Sequence, residues 1–217
     1  MLIAVALILF VLIVASTWWF GLWSNLITLV NLLLSAMLAS SIYEPISDWL
    51  ISLEESYSAL YDFVAVWAVF CISFIVLRGI TDVVSSYRLK FDSITELVGR
   101  SVLSIWIALV FICFSFFTLQ MAPLTPDTYL ESVNKSELGT MPDRAWLAFI
   151  QSRSRGALSA STAKGLFPEY DLPQHPDDIE DAKRVFDPFA EFLPQYAQRR
   201  KQISKQLKLR IGGEVEE

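Results

Sequence analysis

The forty-three residues from Met1 to Tyr43 contain no Asp, Glu, Lys or Arg, and no other feature restricts the fold as tightly. A helix rises about 1.5 Å per residue and a bilayer core is about 30 Å thick, so about 20 residues cross once. This run is therefore expected to cross twice. The reversal is placed between Trp18 and Asn25, where indole rings suit the interface and Gly21 permits a tight turn. The start carries no basic region, and the apolar run continues past Ala15-Ser16-Thr17, so a retained span is expected rather than a cleaved leader.

Phe63 to Leu77 and Ser101 to Pro126 are likewise uncharged. Four spans follow, at about residues 2–18, 24–42, 63–81 and 101–119, the last closed by Pro123 and Pro126. Charge divides the chain the same way. The first 120 residues hold 4 basic and 8 acidic side chains, and the last 97 hold 13 and 15. The sequence predicts an all-α protein: a four-helix polytopic membrane domain over 1–122, and a partly helical, loop-rich polar tail over 123–217. A net charge of −6 argues against a nucleic-acid binder, and two cysteines against a disulfide-stapled miniprotein.

Lys and Arg in short loops resist translocation. Glu44 to Asp62 has five acidic residues and no basic one, whereas Arg78 to Arg100 carries Arg78, Arg88, Lys90 and Arg100. The third loop is thus expected in the cytoplasm, with these four as interface anchors and Arg78 snorkelling to the headgroups. Both termini then face outside, and the tail is extracytoplasmic.

Ile46, Trp49, Leu50, Leu53, Tyr57 and Leu60 recur at helical spacing after Pro45, which predicts a separate helix on the outer surface. Val83, Val84, Tyr87, Phe91, Ile94 and Val98 predict an amphipathic segment leading to Gly99. In the tail, Pro142 to Ile150 reads as a short amphipathic helix, Ser152 to Gly165 as a loop and about 189–209 as a last helix with a basic end. Those basic residues suit a helix C-terminus or an anionic lipid surface.

In the second span Asn25, Thr28, Asn31 and Ser35 trace one face. Two Asn inside a span are costly unless they face protein or water, so the face is either a helix-packing surface or a polar path. Ser101, Ser104, Ala108 and Ser115 form a small-residue seam on the fourth span, suited to close helix contact. Gly21 and Gly99 are read as turn or hinge positions. Cys71 and Cys113 differ in depth by roughly 9 Å in antiparallel spans, so buried free thiols are expected.

No pattern for catalysis, cofactor binding or metal ligation emerges: His175 is the one histidine, and CxxC and G-x-S-x-G are both absent. Asp177-Asp178 and Glu180-Asp181 read as a solvated helix start or a weak cation site, and Asn134-Lys135-Ser136 fits the glycosylation triplet. The expected partners are the bilayer and either a second copy or another membrane or envelope protein, with no identifiable small molecule.

Gly21-Leu22 followed by Leu26, Leu29 and Ala36, an acidic outer loop, and Leu97-Val98-Gly99 before the fourth span together resemble the colicin V production protein (CvpA) family of bacterial inner-membrane proteins. The resemblance covers about residues 1–122. The family commonly has an Arg where this chain has Phe20. It also commonly has an Asp-Arg pair and a second small residue where this chain has Thr95-Glu96 and Leu103. The resemblance implies a non-enzymatic multi-pass protein of the cytoplasmic membrane, with an accessory role in toxin production or export, or in envelope physiology. A small pore or transporter subunit lined by the Asn stripe is the alternative.

Overall fold

The computed structural model describes residues 2–53, 58–85, 91–122, 142–154, 192, 195–199 and 201–202. Its helices are α1 (Leu2–Trp18), α2 (Leu22–Leu53), α3 (Ser58–Val84), α4 (Ser93–Met121) and α5 (Pro142–Ser154). Residues 192, 195–199 and 201–202 are helical as well. Three of these helices are long and apolar enough to cross a membrane, and α1 is a shorter apolar helix.

Neighbouring pairs give the directions. Trp23 Nε1 donates to Ser85 Oγ at one end of α2, and Ser47 donates to Asp62 at the other, so α2 and α3 are antiparallel. Leu22 meets Glu96 and, one turn on, Asn25 meets Ser104, which sets α4 parallel to α2. The α1 C-terminus, the α2 start, the α3 end and the α4 start therefore share one end, called here the basic end for Arg78 and Arg100. The other, acidic end carries Glu44, Asp48 and Asp62. α4 is the hub, touching α1, α2, α3 and α5.

Two of the expected loop helices are extensions of spans. α2 runs on through Pro45 to Leu53, about 48 Å in length against a core of about 30 Å. Pro45 cannot donate to the Ser41 carbonyl, and Ser41 and Pro45 both face outward where the helix leaves the apolar run. Inward, Tyr43 and Ser47 are buried and Ile46 and Leu50 pack on the core. No separate surface helix begins at Pro45.

The third loop behaves similarly. Val83 and Val84 end α3, while Ile94 and Val98 lie in the first turns of α4, which begins at Ser93 rather than near 101. Gly99 is consequently inside a helix and not at a hinge. Tyr87, Arg88 and Lys90 lie outside the described residues, as do Asn134 to Ser136, His175 and the acidic run from Asp177.

The core is aromatic. Trp67 and Phe70 of α3 meet Phe111 and Phe114 of α4, with Phe70 and Phe114 ring centroids 4.8 Å apart. The cluster continues into the tail: Trp146 of α5 sets its edge on Phe114 at 5.5 Å, and Phe192 stacks on Phe117 at 5.0 Å. Trp146, Ile150, Phe192 and Tyr196 are core residues. Leu26, Val30, Leu34, Leu38 and Ile42 of α2, with Ile72, Ile75 and Val76 of α3, face outward, as lipid contact requires. Cys71 is on this outward face and not buried, whereas Cys113 is half-buried.

Candidate functional site

At the basic end, the chain reverses at Trp19 to Gly21, and the Phe20 amide donates to the Thr17 carbonyl at 3.0 Å. α2 then begins against the flank of α4. Glu96 Oε1 accepts the Leu22 amide at 2.7 Å, placing a carboxylate at the positive end of α2 and satisfying one of its unpaired N–H groups. The approach is close. A Cβ on Gly21 would lie 2.9 Å from Glu96 Oε1, and a Cβ on Gly99 would lie 1.8 Å from Leu22 Cδ1 and 3.3 Å from Leu22 Cγ.

One turn further in, Asn25 is fully buried. Its amide nitrogen faces the Thr17 carbonyl at 3.1 Å, Ser104 Oγ at 3.2 Å and the Arg100 carbonyl at 3.5 Å, joining α1, α2 and α4. The Arg100 guanidinium lies over the Trp18 ring, 5.2 Å from its centroid. On the α3 side, Arg78 Nη1 donates to Thr28 Oγ1 at 2.8 Å and Nη2 to Ser24 Oγ at 3.3 Å, while Nε pairs with Asp82. Arg78 thus turns inward onto α2 instead of reaching only for headgroups. Asn31 Nδ2 donates to Thr81 Oγ1 at 2.8 Å, and Thr81 in turn donates to the Leu77 and Arg78 carbonyls.

The four stripe residues therefore sit together but serve two neighbours. Asn25 addresses α4, Thr28 and Asn31 address α3, and Ser35 is buried with its hydroxyl unpartnered among the described residues. The α4 seam divides: Ser104 and Ala108 are fully buried, while Ser101 and Ser115 bond their own helix at Leu97 and Phe111.

A second polar centre, which sequence reasoning missed, occupies the acidic end. Asp62 accepts from Ser47 Oγ of α2, from Tyr196 O–H at 3.1 Å and from Arg199 Nη1. Burial, and after it the Asp62 charge, pushes the Tyr196 phenol above its ordinary range, so the O–H stays protonated and donates. Trp146 Nε1 donates to Ser40 Oγ at 3.3 Å close by. Asp62 stands at the edge of the second uncharged stretch, where an acidic side chain calls for a counter-charge. Its partner lies 137 residues away in sequence, beyond the reach of any local pattern.

Neither centre brings together three metal-ligating His, Cys, Asp or Glu side chains among the described residues. What both do is join helices through charge-assisted hydrogen bonds. An all-α bundle with three helices of membrane-spanning length, and its polar side chains turned inward, is an integral membrane protein with several passes. A family model described as Colicin V production protein matches residues 2–145, and the chain belongs to that family. The match extends past residue 122 into the first turn of α5. Comparisons with curated proteins and with solved structures found no match.

The segments around Gly21 and Gly99 are spatial neighbours. They meet through the Glu96 to Leu22 bond, with Gly21 against Glu96 and Gly99 against Leu22. The junction here is closed by a carboxylate on a backbone amide.

Proposed function

We propose that this chain is a non-enzymatic accessory protein of the bacterial inner membrane whose polar stripe holds helices together, acting in toxin production or export, or in envelope physiology. The observation that carries the packing reading is that Asn31, Thr28 and Ser24 spend their polar atoms on Thr81 and Arg78. A water-lined path would need those atoms turned to solvent. The membership in the colicin V production family supports the wider role.

The test is Asn31→Leu. Losing one interhelical hydrogen bond is expected to lower stability by about 1 kcal/mol in a denaturant titration in bicelles, with solute efflux from proteoliposomes unchanged. Altered efflux from a fully assembled variant would favour the pore.

We further propose that the basic end is cytoplasmic and the acidic end, with the tail, extracytoplasmic. Four basic side chains flank the α3–α4 connection and five acidic ones the α2–α3 connection. With Cys71 and Cys113 replaced, single cysteines at Ser52 and Ser159 are expected to react with an impermeant thiol reagent in intact cells or spheroplasts. One at Ser93 should react only after lysis. Protection of Ser159 together with Ser93 would put the tail inside.

A further inference from the structure

Phe192, Tyr196 and Arg199 are spaced by four and three residues, so they share one face of a helix, and all three engage the bundle. Gln195, Gln198, Lys201 and Gln202 point outward. The contact therefore has the form of a helix seated by one face: an aromatic ring in the apolar cluster, and a phenol and a guanidinium sharing one carboxylate.

The receiving side is built from the membrane helices. Asp62 is held by Ser47 of α2, and its side chain is 14% exposed. Tyr43 is buried beside Tyr196, and Phe117 and Met121 form the apolar floor. Glu44 to Asp62 contains five carboxylates and no basic side chain, so this end attracts cationic helices in general, and the seated segment supplies the guanidinium. Thirty-seven residues separate Ser154 from Phe192 in sequence, so the segment binds as a tethered ligand.

We propose that the acidic end of the bundle is a receiving site for a partner protein's helix bearing an aromatic residue, a Tyr four residues on and an Arg three beyond it. In this chain Phe192, Tyr196 and Arg199 occupy the site in cis, and the Asp62–Arg199 pair is the latch. The proposal goes beyond the accessory role above and is independent of which side of the membrane that end faces.

A tethered helix competes at an effective concentration on the order of millimolar, so a micromolar peptide in trans does not displace it while the latch holds. The experiment uses the full-length protein in lipid nanodiscs and a fluorescein-labelled peptide copying residues 189–204. Arg199→Glu sets two carboxylates against each other and opens the site, and peptide binding is expected to tighten at least about tenfold over the unmodified protein. Adding Asp62→Asn to Arg199→Glu should remove that gain.

A nitroxide at Gln198→Cys, with Cys71 and Cys113 replaced, reports seating directly. It should be constrained in the parent, mobile in Arg199→Glu and constrained again in the charge swap Asp62→Arg with Arg199→Glu. Equal peptide binding to parent and Arg199→Glu would overturn the proposal. So would binding that survives Asp62→Asn, or a label that stays constrained in Arg199→Glu.

Discussion

Gly99→Val is expected to separate the start of α2 from α4 and to destabilise the bundle by about 2–3 kcal/mol, the usual cost of forcing extra carbon into a packed contact. A Cβ at this position overlaps Leu22 Cδ1, and a branched side chain leaves the leucine no way round. Gly99→Ala should cost less, about 1 kcal/mol, because the end of Leu22 can rotate away. Combining Gly99→Val with Leu22→Ala should return part of the loss, a non-additivity that identifies this pair as the point of contact. Unfolding by SDS titration in bicelles, followed by tryptophan fluorescence, gives all three values. Simple additivity of Gly99→Val and Leu22→Ala would mean that the two positions are not in contact.

The second large effect is expected from Asn25→Leu, at about 2 kcal/mol in the same titration. Asn25 is fully enclosed by α1, α2 and α4, and its amide nitrogen faces three acceptors, two of them backbone carbonyls. A leucine of similar size fills the space but leaves those groups without their shared donor. Ser104→Ala removes one acceptor only, and its cost should be less than half as large. If the two variants were equally stable, the Thr17 and Arg100 carbonyls would carry none of the contact.

Much of this was legible in the sequence, and the exceptions have physical causes. The absence of charge located the apolar helices, because hydrocarbon excludes charge more strongly than any local preference acts. The Asn stripe announced an inward face for the same reason. What composition does not encode is where a helix stops once it has left the bilayer. Pro45 looked like a beginning, but α2 continued because Tyr43 and Ser47 found partners in Tyr196 and Asp62. Gly99 looked like a hinge, but its value lies in the room it leaves for Leu22, 77 positions earlier. The bonds of Asp62 and Glu96 have no local signal, since their partners are 137 and 74 residues distant.

The Glu96 bond also bears on the order in which the molecule is made. α2 leaves the ribosome with its first amides open, and the carboxylate that takes one of them, the Leu22 N–H, arrives 74 residues later. At usual synthesis rates of about 5–20 residues per second that delay is about 4–15 s. During it the α2–α3 hairpin already has Arg78, Thr28, Asn31 and Thr81 to hold it together. Only with α4 do α1, α2 and α3 acquire their common neighbour. The junction at Gly21 and Gly99 is therefore a completion mark: it can close only once residues 96 to 99 have been made.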